Sequence, residues 1–84
     1  MRATLFTKPA CLLCDQMRQV VSDAAKRYDL DVEELDVTAD PEIAHLEMSV
    51  PLLSIGGIPQ FRFTVSAQAL SRVLEERGCP RRQA

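Results

Sequence analysis

Long apolar runs are missing from this sequence. No stretch approaches the ~18 apolar residues that a bilayer crossing needs. The opening MRATLF meets a charge at Lys8 before a secretory apolar core could form. The expectation is a chain that works in the cytoplasm, under reducing conditions. Charge of one sign is missing too: the formal net charge is −2 at pH 7. That balance supplies no field to gather nucleic acid or an anionic membrane, so neither is expected as a partner. Glycine is scarce, at three residues, and no low-complexity run occurs, which argues against disorder. Histidine is scarcer still, with His45 alone. The three cysteines are an odd number, and Cys11 and Cys14 stand too close to staple a fold. A secreted disulfide scaffold is therefore not expected.

What is present fits one domain over residues 1–84. Hydrophobic residues make up 46 % and charged residues 26 %, ordinary values for a globular chain. A core of this size is small but sufficient without metals. ATLFT predicts a strand ended by Lys8-Pro9. Leu13, Met17, Val20, Val21, Ala24 and Tyr28 recur at helical spacing and predict a helix from about Leu12 to Arg27. LDVEELDVT predicts a second strand. DPEIAHLEM predicts a short helix, with Asp40 as N-cap and Pro41 in the first turn. VPLLSI and QFRF predict two further strands, joined at Gly56-Gly57, because glycine supplies the positive φ of a tight hairpin turn. Phe61 and Phe63 alternate with Arg62, which predicts both rings on a buried face. VSAQALSRVLEERG predicts a last helix with Leu70, Val73 and Leu74 inward, stopped by Gly78 and Pro80. Residues 79–84, CPRRQA, read as a frayed tail. With Arg77 its Arg81 and Arg82 form the one basic cluster, and Cys79 reads as a tail thiol.

The order is thus β-α-β-α-β-β-α, an α/β chain. Two strands joined by a helix should be parallel, and the last two form a hairpin. The simplest solution is a four-stranded mixed sheet flanked by helices.

The chemistry concentrates in KPACLLC. Cys11 falls where a strand hands over to a helix, among amide N–H groups that lack intrahelical partners. The helix dipole is positive there, so a thiolate is stabilised and the Cys11 pKa should fall below the free value of ~8.5. Lys8 adds a nearby positive charge. Cys14 lies one turn further in, more shielded, within reach of the first sulfur. One exposed thiolate beside one buried thiol suits thiol–disulfide exchange. Two rival readings stand beside it. Cysteine is also a common small core residue. A structural zinc needs four ligands, and only His45 and Cys79 remain, neither in a paired spacing; no metal ligand is assigned. In SVP, Pro51 cannot donate to a ladder and should open its strand at an edge or bend.

Together, LFTKPACLLC and SVPLLSIGG resemble the thioredoxin fold, and within it the glutaredoxin-like proteins, from about Ala3 to Gly78. The chain is most similar to a short, divergent bacterial-type group. The resemblance implies a thiol–disulfide oxidoreductase with Cys11 as nucleophile and Cys14 as resolving thiol. It also implies that Val50-Pro51 is cis and faces the dithiol. The Val50 backbone would pair with a bound peptide or glutathione, and Lys8 would meet a glutathione carboxylate. Departures are Leu12 and Leu13, where the family usually carries proline and an aromatic, and Ser49, where it usually carries threonine. FRFTVSAQ stands where a second Gly-Gly opens the last helix. The expected substrate contacts are Lys8, Leu12, Leu13, Val50 and Pro51. No tightly bound cofactor is expected, and glutathione is the candidate co-substrate. Expected partners are a protein or small-molecule disulfide and a reductant, glutathione or thioredoxin reductase, which would place the chain in cellular redox homeostasis and electron transport. Two alternatives are a non-catalytic module that binds a protein through Leu12, Leu13 and Pro51, and an iron–sulfur or metal carrier.

Overall fold

A computed structural model describes residues 1–83. Strands β1 (Arg2–Thr7), β2 (Asp31–Asp36), β3 (Leu52–Ile55) and β4 (Ile58–Arg62) alternate with helices α1 (Leu12–Arg27) and α2 (Ala67–Glu76), and a 3₁₀ helix spans Ala44–Ser49. The sheet order is β2-β1-β3-β4. Strand β1 pairs with β2 in parallel and with β3 antiparallel, and β3 pairs antiparallel with β4. The four-stranded mixed sheet expected from the element order is the one observed.

Period two in β1 turns Ala3, Leu5 and Thr7 to the helix-covered face. Against it pack Met17, Val21 and Ala24 of α1 and Leu70 and Leu74 of α2, with Leu53 and Ile55 of β3. Each fully buried side chain of this size contributes ~1.5–3 kcal/mol. A second cluster joins Cys14, Val37 and Val50, with Phe6, Cys11, Ile43 and Leu46 against it. The hairpin turn has Gly56 at φ +58° and Gly57 at φ +81°. A Cβ on Gly56 would come within 2.7 Å of the Arg77 guanidinium, which binds the Ile55 carbonyl.

Three local expectations change. The second helical segment is 3₁₀ rather than α. The N-cap of that helix is Ile43, without a side-chain cap hydrogen bond, so the cap expected at Asp40 and the first-turn place expected for Pro41 are not found. Asp40 holds the preceding turn instead, its side chain accepting from the Glu42 N–H at 2.9 Å and its carbonyl from the Ile43 N–H at 3.1 Å. A segment this short does not sustain an α-helix by itself. The tighter winding aligns positions i and i+3, so Ile43 and Leu46 both reach the second cluster.

Phe63 is the second change. Phe61 is half-buried against the core, but Phe63 lies beyond the strand, exposed, at φ +73°. The ladder runs out there because Pro51 offers only a carbonyl. It accepts from the Phe63 N–H at 2.7 Å and has no N–H to return.

The tail is the third. Cys79 is buried in the main core. The Pro80 carbonyl accepts from the Asp29 N–H at 2.7 Å, and the Arg82 N–H reaches the Arg27 carbonyl at 2.8 Å. The Arg82 side chain binds the Ala25 carbonyl at 2.7 Å. Arg81 and the Tyr28 hydroxyl share one oxygen of Glu75, at 2.8 and 2.6 Å. The last carbonyls of α1 have no intrahelical donors, and the tail supplies them. The part of the expected fraying that falls on Ala84 lies outside the described residues. Deleting residues 79–84 should cost about 2 kcal/mol in urea unfolding, from the lost hydrogen bonds and the unfilled Cys79 site; an unchanged midpoint would restore the frayed tail.

Candidate functional site

The site is built on the start of α1. Ala10 precedes it in the left-handed region at φ +53°. Cys11 follows as N-cap, with extended backbone at φ −124°, ψ 105°. Its sulfur accepts the Cys14 N–H at 3.1 Å, and its carbonyl accepts the Asp15 N–H at 3.1 Å. The cysteine thus does what serine or aspartate does at ordinary helix starts. A thiolate in that place gains a charge-assisted hydrogen bond and the favourable end of the helix dipole.

Cys11 and Cys14 are joined as a disulfide, with Cα atoms 5.2 Å apart. Their surroundings differ. Cys14 is fully buried, while Cys11 keeps part of its surface in solvent. Leu12 and Leu13 between them are 72 % and 40 % exposed, so neither serves the core. The Val50-Pro51 peptide is cis. Val50 packs in one cluster with Cys14 and Cys11, and Pro51 is buried beside it. Outside the regular elements, no backbone hydrogen bond among the described residues engages the Val50 N–H or carbonyl. Lys8 stands half-buried in the turn between β1 and α1, and among the described residues it makes no ion pair.

The structure therefore gathers Cys11, Cys14, Val50 and Pro51 at one end of the sheet, with Lys8, Leu12 and Leu13 on its rim. His45 is exposed on the 3₁₀ helix. Cys79 sits at the far end of α1, beside Tyr28. A helix of that length spans about 24 Å, so the third thiol is remote from the dithiol. Among the described residues no group of three His, Cys, Asp or Glu gathers to hold a metal. A groove of ≈ 470 Å³ lies between Arg27 and the outer face of α2, away from the sulfurs.

Two features escaped sequence reading. Met48, two residues before Val50, is 82 % exposed, and Phe63 is 40 % exposed beside Pro51. An apolar residue next to SVP was the available signal for the first. The second feature is a brace. Glu34 of β2 holds Arg18 of α1 through a bidentate pair at 2.7 and 2.8 Å. It also accepts the buried Thr7 hydroxyl at 3.1 Å, and Arg18 reaches Asp15 at 2.7 Å. The first turns of α1 are thereby tied to the ends of β1 and β2.

The Arg18 guanidinium, and then the Thr7 hydroxyl, hold the Glu34 carboxyl below the usual carboxylate range, against its partial desolvation. A depressed folded-state pKa stabilises above the unfolded-state pKa, and that part is lost as pH falls through the folded value. Glu34→Gln should therefore flatten the acid limb of stability below about pH 4. Urea midpoints across pH 2–7 would measure it, and a parallel offset at every pH would contradict it.

The family model for the Glutaredoxin-like domain (DUF836) matches residues 2–76. The chain belongs to this glutaredoxin-like family of the thioredoxin fold. A protein of Methanothermobacter thermautotrophicus described as "Probable Thioredoxin" is 32 % identical over 76 residues, covering 86 % of this chain and 89 % of that protein. A second "Probable Thioredoxin", from Methanothermobacter marburgensis, is 36 % identical over 61 residues, covering 68 % of this chain and 72 % of that protein. Among solved structures, a structural-genomics target protein from X. campestris superposes with TM-score 0.71 at 20 % identity, over 88 % of this chain and 96 % of its own. Thioredoxin 1 from Thermosipho africanus superposes with TM-score 0.57 at 21 % identity, over 92 % of this chain and 98 % of its own. At those identities the two structures speak for the fold alone.

Proposed function

We propose that the chain is a dithiol–disulfide oxidoreductase that reduces disulfides on a protein or a small thiol compound. The observation that carries this reading is the Cys11 sulfur at the N-cap, accepting the Cys14 N–H beside a fully buried second thiol. In the reduced state the Cys11 thiolate attacks one sulfur of the substrate disulfide. That S–S bond breaks, the departing substrate thiolate takes a proton, and a Cys11 mixed disulfide forms. Cys14 gives up its proton and attacks the Cys11 sulfur. The second substrate thiolate leaves, and the Cys11–Cys14 disulfide forms. Two electrons pass from the dithiol to the substrate, and an external thiol couple returns them. Lys8 supports the thiolate and receives a substrate carboxylate. Val50 offers its backbone N–H and carbonyl to the extended segment that carries the substrate disulfide. Leu12, Leu13 and Pro51 give the segment an apolar footing.

No bound cofactor is needed for this cycle. Glutathione enters it as co-substrate or as reductant, and thioredoxin reductase is the alternative electron source. A Cys11–Cys14 potential near ~−270 mV would favour a thioredoxin-type couple, and one near ~−200 to −230 mV a glutaredoxin-type couple. We assign the cycle to the reducing cytoplasm.

The 72 % exposure of Leu12 also favours a second reading, a non-catalytic module that docks a protein on this surface. One pair of variants separates the two. Cys14→Ser should accumulate mixed disulfides through Cys11, visible by mass and released by dithiothreitol, while Cys11→Ser should form none and turn over nothing. Equal trapping by both variants, or by neither, would sink the catalytic reading.

A further inference from the structure

Among the described residues, Ala10 and Phe63 are the two non-glycine residues with positive φ, and both flank the site. Ala10 sets the turn that presents Cys11. The end of the ladder at Pro51 accounts for Phe63 leaving the strand but not for its positive φ. Its φ is +73°, and the Thr64 N–H donates to the Arg62 carbonyl across it at 2.9 Å. An i to i+2 bond around a residue of that φ makes a γ-turn of the rare, strained hand. A bulky side chain is the least suited to such a turn, and glycine is suited best. Strain of this kind persists where the surroundings over-determine it, and it concentrates at binding sites.

The surroundings here are specific. The Phe63 N–H is held by the Pro51 carbonyl at 2.7 Å, so the ring is displayed one hydrogen bond from the Val50-Pro51 segment. The ring does not fill the core, being 40 % exposed. One face is covered by the Arg62 guanidinium, 5.1 Å from the centroid. The rest stays open at the same end of the sheet as exposed Leu12, Leu13 and Met48. Arg62, like Lys8, has no carboxylate partner among the described residues. An apolar rim with two uncommitted cations fits an extended polypeptide better than a small, highly charged disulfide.

We propose that Phe63 determines substrate specificity: its ring receives an apolar side chain next to the cysteine of a disulfide-bearing polypeptide whose carboxylates meet Arg62 and Lys8. The proposal rests on the oxidoreductase reading above and names the substrate class of that same site. Phe63 takes no part in electron transfer. It selects which disulfide lies across Val50-Pro51.

The test uses the pre-reduced chain, mixed with an excess of disulfide, with Cys11–Cys14 oxidation followed by acid quench and alkylation. The probes are a peptide disulfide with Leu beside each Cys and Asp two residues on, the same peptide with Gly for Leu, and 2-hydroxyethyl disulfide. The variants are Phe63→Gly and Phe63→Asn, both of which tolerate left-handed backbone. The wild-type chain should prefer the Leu peptide over the Gly peptide by about tenfold, the scale of one apolar side-chain contact. Both variants should lose that preference, keep their rate on 2-hydroxyethyl disulfide within about twofold, and unfold at urea midpoints no lower than wild type. Equal loss on all three probes, or an undiminished Leu preference, overturns the proposal. Loss of the fold in both variants makes the ring a packing element and overturns it too. No reaction of the wild-type chain with any probe removes the oxidoreductase reading itself, a separate outcome that takes the proposal with it.

Discussion

A sulfur atom stands where an oxygen usually caps a helix. The bond from the Cys14 N–H to the Cys11 sulfur satisfies an amide that α1 leaves unpaired, and it fixes the sulfur at the positive end of the helix. The rest of the molecule serves that placement. Strand β1 delivers the chain to the right point, and the left-handed Ala10 turns it into the helix. Buried Met17, Val21 and Ala24 hold α1 against the sheet. The Glu34–Arg18–Asp15 brace stops the first turns from shifting. On the proposed reading the cap also reacts, and fraying there would cost it its place.

The same placement separates the two cysteines by chemistry. Burial disfavours charge on Cys14, while the helix start favours it on Cys11. Identical side chains three residues apart thus differ in surroundings, one capping the helix start and the other packed among Val37 and Val50. The buried Val50-Pro51 segment packs against the cysteines from the other side, and among the described residues no backbone hydrogen bond outside the regular elements engages Val50. The segments that flank these atoms in sequence and in the sheet expose Leu12, Leu13, Met48 and Phe63. On the proposed reading, a protein substrate would find both a reactive sulfur and a footing there.

Much of this was legible in the sequence because the signals were local. The limits of α1, Leu12–Arg27, follow from apolar spacing, and the Gly56-Gly57 hairpin follows from the φ those glycines permit. The dithiol at a strand-to-helix junction was visible for the same reason. The failures share a different cause, since each depends on a partner distant in sequence. Phe63 leaves the alternating pattern because the opposite strand has Pro51 where a ladder donor is needed. The tail is ordered because α1, more than fifty residues earlier, ends with open carbonyls at Ala25 and Arg27. The 3₁₀ helix tightens to bring Ile43 and Leu46 onto a cluster that includes Phe6. Phe63 is tied to the Val50-Pro51 segment only because the fold pairs it with the Pro51 carbonyl.

The central claim is that the helix start stabilises charge on the Cys11 sulfur. The most direct measurement is the pH dependence of Cys11 alkylation in the reduced chain, with Cys79→Ala to remove the third thiol and Cys14→Ala to isolate the sulfur. The account predicts a single titration well below the ~8.5 of a free thiol, moving upward when α1 is unfolded in urea. A titration at or above ~8.5, unmoved by unfolding, would contradict it.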